Sequence, residues 1–249
     1  MSSRKRDTVY QNTLAELADF TFDQQVTSVF EDMINRSVPG YASIVHNLTQ
    51  IATQFVQANT NCYDLGCSLG ASSLAMRTGV ENKIADKNTV TIISVDTSQD
   101  MLKRAKGFID NQSSNITIEL QHDDIRNTVI DNASMVVLNF TLQFLPIEDR
   151  SQLLKKIYAG MNQGACLILT EKVCFKNSVI QEMITNLHHQ FKREQGYSEL
   201  EIAQKRDAIE NIMKLETQEQ HIKRLQKTGF QHVSQWHQNT AFCSFLAIK

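Results

Sequence analysis

Asn61-Cys62-Tyr63-Asp64-Leu65-Gly66-Cys67-Ser68-Leu69-Gly70 is the stretch whose reading decides the fold. Residues 61–65 form a short, largely apolar strand, and a helix runs on through Leu74, Ala75 and Met76. Gly66 and Gly70 between them permit a sharp turn and close approach of a ligand, and the helix start offers unpaired N–H groups. Working outward, strand-like segments at 90–96, 116–120, 134–140 and 165–173 alternate with helical stretches, 100–111 and 148–161 among them. This alternation predicts βαβ units: an α/β, Rossmann-like, doubly wound, mostly parallel sheet with helices on both faces. After Val173 the alternation stops. Residues 177–195, 199–214 and 217–228 read as three helices, followed by two strands near 230–237 and 242–249. Upstream, Pro39-Gly40 fits a turn, and Ser43 is the expected cap of a helix to about Val56, with Ile44, Leu48, Ile51 and Phe55 on one face. The whole, 1–249, is expected to be one domain, with an N-terminal helical lid (1–60) and a helical insertion (174–229) before the last two strands.

Composition narrows the function. Lys and Arg number 25 against 27 Asp and Glu, a net charge of −2, so a protein gripping nucleic-acid backbones directly is not expected. No run approaches the roughly 18 apolar residues of a membrane helix. Arg4, Lys5 and Arg6 have no apolar region behind them, unlike a secretory signal. The five cysteines are scattered without a CxxC pair, which argues against a disulfide framework or a structural zinc. A cytoplasmic protein with no metal, acting on small molecules, is the expectation.

The turn specifies the small molecule further. Asp96 closes the second strand 26 residues after Gly70, where an acid can take both hydroxyls of a ribose. The glycine spacing departs from the dinucleotide fingerprint, because Ser68 stands at the second position and Gly70 comes early. Asp64 before the turn would repel a pyrophosphate but suits an α-ammonium group. An amino-acid-bearing nucleoside, S-adenosylmethionine (SAM), fits better than NAD. The pattern resembles the nucleotide loop of Rossmann-like methyltransferases. Asp123-Asp124-Ile125 after the third strand offers an acceptor for an adenine amino group and an apolar cover for its ring, and Asn139 ends the fourth strand on the ligand side. Gly66-Cys67-Ser68-Leu69-Gly70 also matches the G-x-S-x-G elbow of α/β-hydrolases, with acids and histidines downstream, although that elbow normally follows several strands. The same turn and acids would equally serve an ordinary small-molecule methyltransferase, or a protein that binds the nucleoside without turnover.

In the later helices, Ile202, Arg206, Ile209 and Met213 step by one helical face, placing a guanidinium inside an apolar stripe. It either pairs with a glutamate such as Glu199 or Glu210, or clamps a carboxylate through its planar fork. His188 and His189 read as structural or surface residues.

Several segments resemble the carboxy-S-adenosyl-L-methionine synthase family: Thr21-Phe22-Asp23, Arg36 to Tyr41, Tyr63 to Gly70, Asn132 to Leu145 and, most distinctively, Gly196-Tyr197-Ser198-Glu199-Leu200-Glu201-Ile202 with Gln204-Lys205-Arg206. The resemblance spans nearly the whole chain. It implies an enzyme that carboxylates the methyl group of SAM at the expense of prephenate, releasing phenylpyruvate. A companion tRNA carboxymethyltransferase then passes the carboxymethyl group to the wobble uridine. It also implies a homodimer and ligand contacts from Tyr41, Gly66, Cys67, Ser68, Asp96, Thr97, Asp124, Ile125, Asn139 and Arg206, with Tyr41 and Arg206 nearest the chemistry. Thr97 stands where the family pattern has Asn, leaving its backbone N–H as the contact. Arg36, Lys172, Lys192 and Arg193 are the basic candidates for prephenate.

Overall fold

The fourth strand shows how the core is divided. Within Ala133–Asn139, Met135 and Val137 point to one side of the sheet and Val136 and Leu138 to the other, and all four are wholly buried. A strand apolar on both faces needs cover on both.

The computed structural model describes residues 5–12, 20–84, 86, 89–210 and 212–249. Its strands are β1 (Thr60–Leu65), β2 (Val90–Asp96), β3 (Thr117–His122), β4 (Ala133–Asn139), β5 (Met161–Lys172), β6 (His232–Asn239) and β7 (Phe242–Ile248), in the order β3-β2-β1-β4-β5-β7-β6. β1 to β5 are parallel, and β7 lies antiparallel between β5 and β6. Helices α2 (Tyr41–Phe55) and α3 (Ala71–Lys83) cover the Met135 face through Leu48, Ala52, Met76 and Val80. Helices α5 (Ile147–Gly160) and α8 (Gln218–Thr228) cover the Val136 face through Leu153, Leu154, Ile157 and Leu225. The doubly wound, mostly parallel sheet read from the sequence is the observed one.

β1 pairs with β2 on one side and β4 on the other, so the chain winds away from it in opposite directions. A crevice opens at such a switch point, beyond the carboxyl ends of the strands. Here a third apolar cluster roofs it. Tyr10 and Phe20 join Val26, Val29 and Met33 of α1 (Gln24–Ser37), Leu69, Met101 of α4 (Gln99–Asp110) and Ala208 of α7 (Glu199–Glu210). The remaining helix, α6 (Ser178–Glu194), precedes α7.

Local details depart from expectation for identifiable reasons. α2 starts at Tyr41 rather than after Ser43, because Gly40 is the N-cap with φ 83° and its carbonyl accepts from Ile44 N at 3.0 Å. β4 stops at Asn139, since Phe140 takes φ 62°. β5 begins at Met161, four residues before the predicted start. α7 ends at Glu210, leaving Met213 beyond it.

The stripe expected on α7 is rotated. Arg206 lies outside it, its side chain 45% exposed and paired with Asp207 at 2.9 Å, while Arg193 takes Glu199. The buried face instead carries Glu201, Ile202, Gln204, Lys205 and Ala208. It is polar because it meets polar partners of the N-terminal segment and α1: Gln204 Nε2 donates to the carbonyls of Tyr10 and Asn12, and Lys205 Nζ to the side chains of Ser37 and Asp7. Ser198 and Glu201 bond reciprocally at the start of the helix and satisfy its first donors. Periodicity alone could not see this, since it assumes that buried faces are apolar.

Candidate active site

The turn after β1 is held by its neighbours. Gly66 N and Cys67 N both donate to Val95 O, at 2.8 and 2.9 Å, and Gly66 has φ 85°. A Cβ on Gly66 would lie 2.4 Å from the Thr141 side chain, so the position is closed to other residues by both backbone and space. Asp96 locks the next step: Oδ2 accepts from Ser68 N and Oδ1 from Ser98 N, each at 2.8 Å. Burial pushes its carboxyl pKa up while these N–H groups pull it down.

Beneath the turn, Asp64 is buried, with Oδ2 accepting from Ser73 Oγ at 2.5 Å. Ser73 in turn contacts Ser94 Oγ at 2.8 Å, and Asp64 Oδ1 is unsatisfied. Burial raises the Asp64 pKa to about 7. The group is therefore protonated in the fold but ionised in the unfolded chain between about pH 4 and 7. Across that window its contribution to stability falls as pH rises. Asp64→Asn is expected to remove this slope in denaturation curves measured from pH 4 to 7; a parallel pH profile would refute the assignment.

These elements edge a cavity of about 460 Å³ under the roof. Its lining includes Tyr41, Gly66, Cys67, Ser68, Asp96, Thr97, Asp124, Ile125 and Asn139. Nine of the ten expected contacts thus face one space; Arg206 is not among them. Asp64 lies behind the lining. Asn139 donates from Nδ2 to Ser72 Oγ at 3.2 Å, and its Oδ1 is buried without a partner. Asp124 is forked by Arg126, with contacts down to 2.6 Å, which lowers its pKa, and Arg126 also reaches Asp149. Thr97 is exposed; its N–H is directed to the Asp96 carboxylate and its carbonyl contacts His122 Nε2 at 2.9 Å. Ser68 Oγ is directed at Met101 Sδ, 3.4 Å away, and not at a histidine, so no hydrolase triad forms around it.

Three lining groups carry no plain signal in the sequence or a different one. His188 is buried, and its Nε2 lies 2.8 Å from Ser37 O. Because a carbonyl only accepts, that nitrogen carries the proton. Burial and the nearby charges of Lys192 and Lys172 hold the ring neutral, with a pKa near 3. Lys205 joins it at Ser37 from α7, and burial lowers its pKa to about 8. Of the basic candidates, Lys172 and Lys192 line the cavity. Arg36 instead bonds Asp32 and Gln195 O and lies over the Tyr197 ring, and Arg193 is on the surface. What the sequence does offer for this cationic wall is the four-residue step from His188 to Lys192 on one helix face. Phe20, Phe22, Phe30 and Phe144 form an apolar wall, Phe22 meeting the other three edge to face at 5.1–6.0 Å. Among the described residues, no group of His, Cys, Asp or Glu could hold a metal ion, and no helix is long and apolar enough to cross a membrane.

The strand order, the glycine turn and the acid closing β2 define a protein of the Rossmann-like methyltransferase fold. Residues 63–164 match the methyltransferase-domain family model. A putative SAM-dependent methyltransferase from Methanococcus maripaludis superposes with a TM-score of 0.58 at 18% identity, covering 95% of this chain and 97% of that one. An O-methyltransferase family protein from Burkholderia thailandensis gives a TM-score of 0.65 at 11% identity over 92% and 60%. Sequence relatives narrow the class. The carboxy-S-adenosyl-L-methionine synthase of Mannheimia succiniciproducens is 50% identical, covering 98% of this chain and 99% of its own length. That of Cronobacter sakazakii is 48% identical, over 98% and 97%. The chain belongs to the carboxy-S-adenosyl-L-methionine synthase family.

Proposed function

We propose that this enzyme converts SAM and prephenate to carboxy-S-adenosyl-L-methionine and phenylpyruvate, and that the product is the carboxymethyl donor for tRNA wobble-uridine modification by a separate carboxymethyltransferase. The observation that carries the reading is one cavity with two unlike ends: Asp96 and Asp124 suit a nucleoside, whereas Lys172, Lys192 and Lys205 suit an anion. SAM is a substrate here, and the residues present fit it. Asp96 accepts from the ribose, Asp124 and Ile125 serve the adenine, and the unsatisfied Asn139 Oδ1 gains a donor.

The chemistry asks little of the protein beyond placement and dryness. Methyl protons beside a sulfonium are acidified by the adjacent charge. As prephenate aromatises, its ring carboxylate leaves as carbon dioxide and its hydroxyl leaves as hydroxide. The hydroxide takes one methyl proton to give water, and the methyl carbon bonds to the carbon dioxide. Tyr41 and Phe140, with ring centroids 6.4 Å apart, supply a water-excluding wall. Burial beside Asp64 pushes the Tyr41 pKa upward, keeping its hydroxyl neutral as a hydrogen-bond donor. The test is to incubate the protein with SAM and prephenate and weigh the recovered nucleoside by mass spectrometry. A gain of one carboxyl group is expected. Unchanged nucleoside defeats the reading, and S-adenosylhomocysteine formed with an acceptor points to ordinary methyl transfer.

Arg206 is proposed as the clamp on the new carboxylate, reaching a neighbouring subunit's site within a cytoplasmic homodimer. Its exposure on the insertion supports this, as does the row Val179, Met183 and Leu187, exposed at successive turns of α6. Helix α1 and its flanks then act as a lid. Arg206→Ala is expected to weaken the carboxylated product about 10- to 100-fold while SAM loses much less, as calorimetry would show. Equal losses for the two ligands would remove the clamp.

A further inference from the structure

With prephenate as co-substrate, as proposed above, the cationic wall raises the question of which carboxylate it holds. Lys192 and Lys205 are only 7% and 6% exposed, yet both line the cavity with Lys172. Lys172 ends β5, and Lys192 lies one turn beyond His188 on α6. Both act on His188 electrostatically, so the two strand- and helix-borne charges converge on one place. His188 itself adds no charge, because its ring is neutral and its proton is given to Ser37 O. Lys205 is tied by Ser37 Oγ at 2.8 Å and Asp7 at 3.4 Å, which makes it the brace of this wall.

A cation on the carboxylate that departs would work against the reaction. That group loses its negative charge in the transition state, so pairing stabilises the ground state more and raises the barrier. A carboxylate that survives into the product keeps its charge throughout, and pairing there anchors the substrate without opposing the chemistry. We propose that Lys172 and Lys192 bind the side-chain carboxylate of prephenate, the one retained in phenylpyruvate. The ring carboxylate is thereby turned toward the uncharged aromatic wall of Tyr41 and Phe140. The two lysines are binding and positioning residues that select dianionic α-keto acids of this shape.

The experiment measures KM for prephenate by turnover, and binding of phenylpyruvate and of SAM by calorimetry, on the full chain. Lys172→Met and Lys192→Met are each expected to raise KM and the phenylpyruvate Kd together, by about 10- to 100-fold, the range of one charge-assisted hydrogen bond. SAM binding should hold, which also reports a folded site. Lys192→Arg should recover part of the loss. Lys176→Met, at an exposed pair with Glu219, should change nothing. A raised KM with unchanged phenylpyruvate affinity would place the lysines on the departing carboxylate and overturn the proposal. Unchanged KM and Kd in an active enzyme would remove the wall from the site. If the wild type yields no carboxylated nucleoside, the function fails instead, and the phenylpyruvate titration still decides the lysines' role. Should Lys192→Met lose SAM binding through misfolding, Lys192→Gln serves in its place.

Discussion

Asp96→Ala is expected to weaken SAM binding by at least about 100-fold. The wild-type carboxylate has two tasks at once. It accepts the N–H groups of Ser68 and Ser98 and so fixes the turn, and its remaining lone pairs face the cavity where a ribose would sit. Each hydrogen bond to a charged acceptor is worth about 1.5–3 kcal/mol, so two ribose hydroxyls account for the expected loss. Ala also orphans the two N–H groups, one of them on Ser68, whose φ is already 50°, and takes the carboxylate away from the Thr97 N–H as well. Asp96→Asn is no remedy. Its amide nitrogen must face one of those two donors, whichever way it is turned, so it should fall within tenfold of Ala. Calorimetry with SAM checks both variants. Affinity within threefold of wild type for Asp96→Ala would show that the acid only shapes the turn.

The cofactor half of the site is legible in the sequence because its residues belong to one strand–turn–helix and to neighbouring strand ends. Gly66, Asp96 and Asn139 follow from the rule that a doubly wound sheet binds at the carboxyl ends of its strands. The sheet is legible because β1, β2, β4 and β5 carry apolar or β-branched runs with helical segments between most of them, the more polar β3 being placed by its alternation with helices. The other half is assembled from the helices after β5, where local pattern carries less. Lys205 and Gln204 are buried by bonds to Asp7, Ser37, Tyr10 and Asn12, some 170–200 positions away, and no period announces such partners. Arg206 falls in an apolar stripe on paper because Ile202 and Met213 are indeed buried; the helix ends before Met213, so the two do not share one face. His188 is hidden in the same way, its partner being the backbone carbonyl of Ser37 at the end of α1.

Arg150→Met is expected to cost about 3–5 kcal/mol in urea denaturation, the range for removing one partner of a buried ion pair. Arg150 is wholly buried. Its Nη1 meets Glu216 Oε2 at 2.5 Å, and Nε and Nη2 donate to the carbonyls of Gln143, Leu145 and Lys214 at 2.8–3.1 Å. Methionine fills much of the volume and satisfies none of these acceptors, so the Leu145 and Lys214 carbonyls and part of a carboxylate lose their donors, while the Gln143 carbonyl keeps Lys214 N at 2.9 Å. Arg224 also pairs with Glu216, so that charge is not left alone and the loss should fall toward the lower end. The effect reaches the cavity because Arg150 ties the segment after β4 to the chain leaving α7. Gln143, Phe144, Leu145 and Met213 all line the cavity beside these joints. Glu216→Gln should be milder, since the amide oxygen still accepts from Arg150 or Arg224. The double variant Arg150→Met with Glu216→Leu should be less costly than the sum of the single changes, because Arg150 and Glu216 no longer leave each other unpaired; Arg224 loses Glu216 in the double variant as it does in Glu216→Leu alone. A loss below about 1 kcal/mol for Arg150→Met would mean that water replaces the guanidinium, and this joint would then not be what holds the two segments together.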